Sequence, residues 1–391
     1  MARFGVSALA MRGTIDQLDS GIARYCAGLI EGWLENDGGH DFVIWVSRDF
    51  QVPAVWRRNH NVSFRVARGP WSGRKTLWEL FSAGRAARAS RCDLWFSTAH
   101  ALPLAASVPT VLSVQDLFTF SHPEFYTLKH RAVIGWALRR ALRQADRLVA
   151  ISRHTRDELA ARFGVDAARV AVTPLGLGSR IVPVPPESVS DEDLEALGVG
   201  GAHYLLTLST VEPRKNLERL FEAFSRIAPN DSRGLRLVVA GRSGWKTSSI
   251  YRRPEALGVA DRVDFLGYVP DDDLPKLFAR CAAFVLPSVI EGFGLPLLEA
   301  MAFGVPVACS RSGSLVEVGG DVPVYFDPLD IADMAAAITR ALRSRDVQGA
   351  RGQQAQTRAA RFCWSDTAVA TLEAMTSVLP ASAERRQGSA S

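Results

Sequence analysis

The chain lacks a long apolar run. None of its 391 residues falls in a stretch near the ~18 that a membrane span needs. The opening MARFGVSALAM is apolar only briefly and has no small-residue cleavage site. It is expected to form a first strand, not a signal peptide. Cysteine is sparse: Cys26, Cys92, Cys281, Cys309 and Cys363 form an odd set with no C-x-x-C pair. Reduced thiols and a cytoplasmic setting follow as expectations. The seven histidines show no H-x-x-x-H pattern, so neither a structural nor a catalytic metal is expected. No G-x-G-x-x-G opens a helix after a strand, which weighs against a nicotinamide enzyme. AGRSGWKT (240–247) has the wrong Gly-Lys spacing for a phosphate-binding Walker loop. The acidic run Asp271–Asp273 leads straight into LPKLFARC, where acids in a helix first turn are the simpler reading than a metal site.

Charge is present in quantity but unevenly placed. Residues 51–150 carry 15 Lys and Arg against 5 Asp and Glu, whereas the net charge of the whole chain is +5. Several of these basic residues interleave with tryptophan, as in AVWRRNH and GPWSGRKTLWELF. Such a surface suits an anionic partner, or is a solvated Arg-rich face.

Length and pattern point to two domains. DLWFST, TVLSVQD, RLVAIS, YLLTLST, LRLVVAG, DRVDFLG, AAFVLPS and PVACS read as buried strands. Between them lie helical stretches such as NLERLFEAFSRIA, with Leu217, Leu220, Phe221 and Phe224 on one face. This alternation predicts α/β architecture with parallel sheets covered on both sides. The expected boundaries are a first domain at 1–182, a Pro- and acid-rich linker at 183–199 and a second domain at 200–362. A helix at 363–380, capped by Ser365 with Trp364 and Val369 as a hydrophobic staple, and a disordered tail at 381–391 complete the chain.

Two strand-to-helix junctions carry chemistry. Ligands of open parallel sheets bind beyond the carboxyl ends of the strands, where helix N-termini face anions. In LSTVEPRKNLERL, Arg214 and Lys215 stand just before the N-cap candidate Asn216, an arrangement suited to a diphosphate. In EGFGLPLLEA, Gly292 and Gly294 permit close backbone approach, and Pro296 suits a helix start. Glu299 is then expected in the first helical turn, where it would accept from neutral hydroxyls such as those of a ribose. Glu291 is expected on a flexible turn outside the helix, within reach of a sugar. The same pair could instead be a helix-dipole acid and a surface acid.

Taken in order, these stretches resemble the retaining glycosyltransferases of family 4. SGIARY is similar to that family's glycine-containing loop, and VAISRHTRDELAARFGV with VTPLGLG to the end of its first domain. LSTVEPRKN, LVVAGRSGW, RVDFLGYVPDDDLPKLFARC and EGFGLPLLEAMAFGVPV match its donor domain, the last being its E-x7-E signature. AARFCWSDTA resembles the closing helix that returns to the first domain. The resemblance implies the GT-B fold, two doubly wound Rossmann-like domains facing a central cleft, the first binding acceptor and the second a nucleotide-sugar. It marks Glu291, Lys215 and Asp116 as catalytic. Arg214 and Lys215 would hold the diphosphate, Glu291 the sugar and Glu299 the ribose. Gly292, Phe293, Gly294 and Leu295 would line the sugar and phosphate, and Gly267, Tyr268 and Val269 the base. Gly21, Gln115 and His100 fall in the phosphate and acceptor loops. Where relatives have His-Asp, this sequence has Gln115-Asp116, and an amide cannot act as acid or base. His100 and His122 are the candidate replacements.

The implied activity is hexosyl transfer in polysaccharide biosynthesis, with retention and without metal or other cofactor. The donor is a nucleoside diphosphate sugar, GDP-mannose favoured and UDP-glucose next. The acceptor is a glycan or a polyprenyl-diphosphate-linked sugar. Peripheral contact with an anionic membrane at the inner face is expected through the Arg/Trp-rich stretch 51–91, and no nucleic acid is expected as a partner. A sugar-nucleotide epimerase of the same architecture and a nucleic-acid-binding protein are the alternatives.

Overall fold

The computed structural model describes the chain except residues 19, 99, 179–180, 202, 345–348 and 381–391. The expected disordered tail therefore lies outside the described residues. The chain divides into two compact units, Met1–Gly176 with the chain from Cys363 onward, and Leu177–Phe362.

The first unit holds seven strands: β1 Arg3–Ala8, β2 Asp41–Val46, β3 Val62–Val66, β4 Leu94–Ser97, β5 Thr110–Val114, β6 Arg147–Ala150 and β7 Val170–Val172. They pair in parallel in the order β3-β2-β1-β4-β5-β6-β7. The second holds β8 Tyr204–Leu208, β9 Arg236–Ala240, β10 Val263–Gly267, β11 Ala283–Leu286, β12 Val307–Ser310 and β13 Val324–Phe326. Their order is β10-β9-β8-β11-β12-β13, again parallel. The order reverses between β1 and β4 in one sheet and between β8 and β11 in the other. Loops leaving those strands diverge to opposite faces and open a crevice at the carboxyl ends.

The strands form where short apolar, β-branched runs can be buried on both faces. The helix Leu217–Ile227 then covers its sheet with Leu217, Leu220, Phe221 and Phe224, all fully buried. Each large side chain contributes about 1.5–3 kcal/mol by leaving water. In the first unit, helix Lys75–Phe81 carries an acid into the core. Glu79 is fully buried and accepts hydrogen bonds from Ser7 Oγ of β1 (2.6 Å) and Trp95 Nε1 of β4 (2.6 Å).

The helix Trp364–Thr376 belongs to the first unit and lies against the helix Gly21–Glu35. Two glycines make that approach: a Cβ on Gly28 would meet the Trp364 indole at 2.1 Å, and one on Gly32 would meet the Ala368 methyl at 2.5 Å. Trp33 Nε1 donates to the Ala368 carbonyl across the same seam (3.1 Å).

Several expectations are corrected. Segment 183–199 is no bare linker: Val189, Leu194 and Val199 are buried, and Ser190 with Asp193 forms a capping box on the helix Asp191–Ala196. Arg280 ties this helix down through Asp191 (2.6 Å). The segment is part of the second unit because three apolar side chains suffice to anchor a short capped helix. The last helix starts at Trp364 with Cys363 at its N-cap. Ser365 thus sits inside the helix, and Trp364 is its first residue, packed on Gly28, not the residue before the N-cap that a staple needs. The acids Asp271–Asp273 precede the helix Leu274–Arg280 rather than occupying its first turn. Within 51–91, Trp56 and Trp78 point inward, only 3% and 1% exposed, so this stretch presents less aromatic surface than its sequence suggested.

Candidate active site

In the second unit the loops after β8 and β11, the two strands flanking the reversal, supply the charged residues. After β8 the chain makes a tight turn at Pro213–Lys215, and Asn216 adopts a left-handed conformation (φ 60°) before the helix Leu217–Ile227. Asn216 does not cap that helix with its side chain, as its type had suggested. Its Nδ2 donates instead to the carbonyls of Pro287 (3.0 Å) and Pro328 (2.7 Å), pinning this turn to the loops after β11 and β13.

That pinning brings the expected residues together. Lys215 Nζ donates to Glu291 Oε1 at 2.5 Å. Arg214 Nη1 donates to Glu291 Oε2 and to the Ile290 carbonyl, both at 3.0 Å, while its Nη2 donates to Glu212 Oε1 at 2.6 Å. Ser288 Oγ donates to Glu291 Oε1 at 2.6 Å. Glu291 is therefore buried and clamped, not flexible. Burial works against its charge, but Lys215 and Arg214 overcome that cost and hold the carboxyl down at about 2. The same burial pulls Lys215 below its ordinary value, opposed by the Glu291 carboxylate. Glu212, Arg214, Lys215 and Glu291 together are formally neutral.

The glycine turn holds this arrangement from below. Gly294 is left-handed (φ 106°), and a Cβ there would lie 2.4 Å from Leu315, so only glycine fits. Ser314 Oγ donates to the carbonyls of Glu291 (2.8 Å) and Phe293 (3.0 Å). The helix runs Leu295–Ala302 with Gly294 as N-cap, which puts Pro296 second and the buried Glu299 in the second turn, not the first. At the end of β10, Gly267 is also left-handed (φ 67°). Tyr268 beside it carries the Arg242 guanidinium over its ring at 4.2 Å, and Val269 is buried.

In the first unit the corresponding strand ends carry less charge. Gly21 opens its helix behind the N-cap Ser20, whose hydroxyl accepts from Ala23 N (3.2 Å), and a Cβ at Gly21 would meet only open space. After β5, Gln115 is buried and donates to Ser113 Oγ (2.7 Å), which in turn donates to Tyr25 Oη (3.0 Å). Asp116 Oδ1 accepts from Phe118 N (3.1 Å). His100, after β4, is lowered by burial; the Asp116 carboxylate opposes this, and Lys75 and His130 add to it. Its Nε2 is buried without a hydrogen-bond partner among the described residues. His130 is lowered by burial with the same two charges acting on it. His122 lies apart, bonded to Glu124 (3.0 Å) and stacked on Phe125. Of the two imidazoles offered as replacements for residue 115, His100 is thus the one grouped with Asp116.

Residues without an assigned role in the sequence reading also belong here. Ser288, Ser314 and Glu212 shape the charged cluster, Arg242 covers Tyr268, and Lys75 acts on His100 and His130, both of which also feel the Asp116 carboxylate. The first three lie just beyond strand ends, where their small or acidic character was a usable signal. Lys75 and His130 come from distant helices and left none. Among the described residues no group of three His, Cys, Asp or Glu could hold a metal.

Comparison with known proteins gives the class. The profile of Glycosyltransferase Family 4 matches residues 20–177, and that of Glycosyl transferases group 1 matches residues 190–358. The O-antigen chain mannosyltransferase B of Escherichia coli is 33% identical over 267 residues, covering 68% of this chain and 69% of that protein. The serotype-specific mannosyltransferase WbdA of Escherichia coli is 30% identical over 63% of this chain, which spans only 31% of that longer protein. A GDP-mannose-dependent alpha-(1-6)-phosphatidylinositol monomannoside mannosyltransferase of Mycolicibacterium smegmatis is 28% identical over 63% of this chain and 65% of its own length. Among solved structures, Anabaena HepE in complex with UDP and glucose superposes with a TM-score of 0.73 at 18% identity, over 97% of this chain and 100% of that one. The chain belongs to glycosyltransferase family 4, and its two parallel α/β units have the GT-B fold.

Proposed function

We propose that this glycosyltransferase moves a mannosyl group from GDP-mannose to a glycan or polyprenyl-diphosphate-linked acceptor, with retention of configuration and without a metal. The carrying observation is the neutral cluster of Glu212, Lys215 and Glu291, all buried, with the half-buried Arg214, at the strand-order reversal of the second unit. The mannosyltransferases described above support the sugar, one of them being named for GDP-mannose.

In this reading Glu291 keeps Arg214 and Lys215 positioned while no donor is bound. A diphosphate entering the site takes over the two cations, and Glu291 turns to the hydroxyls of the donor sugar. The cations then neutralise charge as the diphosphate departs, already oriented and without reorganisation cost. Glu299 holds the ribose, the backbone of Gly294 and Leu295 approaches sugar and phosphate, and Gly267–Val269 border the base. In the first unit, Gly21, Gln115, Asp116 and His100 serve the acceptor.

A thermal-shift screen over GDP-mannose, GDP, UDP-glucose and dTDP-glucose tests the donor, because a ligand of the native state raises its melting temperature. GDP-mannose should give the largest rise. Transfer from it should survive EDTA, and product NMR should show the donor's anomeric configuration. A rise with UDP-glucose alone would replace the donor, and loss of transfer that manganese restores would remove the metal-free scheme.

A further inference from the structure

The helix Leu128–Gln144 has two unlike faces. One buries Leu138, Ala141 and Leu142 in the core of the first unit. The other faces water yet is not uniformly polar: Leu128 is 77% exposed, Trp136 53% and Val133 42%. Leu128, Ala132 and Trp136 recur every fourth residue, so they form one stripe. The sequence LKHRAVIGWALRRALRQ contains no acid. Lys129, Arg139, Arg140 and Arg143 border the stripe, mostly toward its C-terminal end.

Neighbouring elements extend the positive charge. A shallow groove runs from Arg139 and Arg143 to Arg162 and Arg169, and a second joins Arg131 and Arg139 to Phe120 and Leu128. Arg139 lies over the Phe120 ring at 4.6 Å. The nearby acids are engaged: Glu124 with His122 and Glu158 with Arg162. An exposed apolar stripe ordinarily costs solubility. Together with a basic border, it matches the composition of helices that lie in a bilayer interface, where rings and aliphatic chains enter the acyl boundary and cations meet phosphate. A nucleic-acid backbone would use the arginines but leave Leu128 and Val133 in water.

We propose that the outward face of Leu128–Gln144 seats the enzyme on an anionic phospholipid surface. This moves the membrane contact from the stretch 51–91, whose Trp56 and Trp78 are buried, to a different helix. The proposal deepens the lipid-linked acceptor reading but does not need it for its test, because vesicles without acceptor suffice.

The full chain is sedimented with phosphatidylcholine vesicles with and without phosphatidylglycerol, across a salt series. Binding should require phosphatidylglycerol and weaken as salt rises. The double variant Arg139→Ala/Arg143→Ala should bind about 25-fold more weakly, roughly fivefold per cation, and Arg139→Lys/Arg143→Lys should retain binding. Trp136→Ser should lose roughly tenfold through lost apolar burial. These positions are exposed, and unchanged melting temperatures will show that the variants fold. The control Arg57→Ala/Arg58→Ala should bind like the parent. Equal binding to neutral vesicles, loss in the control alone, or binding to an oligonucleotide but not to vesicles would each overturn the proposal.

Discussion

Glu79 in the first unit and Glu291 in the second are both carboxylates buried among hydrogen-bond donors, and the two behave in opposite ways. Glu79 accepts from a serine hydroxyl and an indole at 2.6 Å, but burial dominates and its carboxyl is pushed up to about 7. Glu291 also accepts from a serine at 2.6 Å, and Lys215 with Arg214 holds it at about 2 despite its own burial. Neutral donors offset only part of the loss of water, whereas two cations reverse it. The first unit's carboxylate thus braces a helix on a sheet; the second's forms part of a charge store at the mouth of a binding crevice.

The strongest test of this contrast removes a cation. Lys215→Ala should lower kcat by about 10²–10³-fold, the loss expected for one preorganised electrostatic donor, with GDP affinity falling less. Steady-state kinetics and calorimetry separate the two, and normal turnover would remove Lys215 from the chemistry.

Next comes the pH dependence of stability. The folded value of Glu79 lies above its ordinary 4.5, so its stabilising contribution is complete below pH 4.5 and is lost as pH rises through 7. Glu291, depressed to about 2, contributes in full above 4.5 and loses it as pH falls toward 2. Between pH 5 and 8 the Glu79→Gln variant should therefore escape a decline of about 3 kcal/mol. Ser7 can turn its hydroxyl to suit the amide. Urea unfolding of both proteins across that range measures it, and parallel curves would show that Glu79 is ionised throughout.

Glu299→Ala should raise donor KM by roughly ten- to a hundredfold with kcat nearly intact, because the ribose does not change during transfer. If kcat falls instead, Glu299 acts on the reacting sugar. The smallest effect is expected at Gln115, where alanine removes a neutral hydrogen bond to Ser113 and should cost about fivefold in kcat/KM. A loss above a hundredfold there would make the amide a direct participant.

Strands β1, β4–β6 and β8–β12 were legible because each is a short apolar run bounded by turn residues, whereas β2, β3, β7 and β13 went unread; Arg214, Lys215, Glu291 and Glu299 stood out because they sit at strand-to-helix junctions. The contacts among them were not. That Glu291 is clamped by Lys215 follows from Asn216 reaching the Pro287 and Pro328 carbonyls, and no local pattern encodes partners so far along the chain. The turn of Glu299 was misjudged because Gly294, left-handed, starts the helix one residue before Pro296. Segment 183–199 read as a linker because Val189, Leu194 and Val199 are too widely spaced to show a period. Glu79 and Lys75 gave no signal, since their meaning comes from β1 and β4 for the one and from His100 and His130 for the other.

The glycine seam beneath Trp364 also sets an order of events during synthesis. The second unit is continuous in sequence and leaves the ribosome whole. The first is not: the helix that fills the space over Gly28 and Gly32 is translated only after all of Leu177–Phe362. At about 5–20 residues per second, the nascent first unit waits roughly 10–40 s with that groove uncovered. The earlier-made half of the protein is thus the later one to finish folding, and it is the half whose open groove a chaperone would meet.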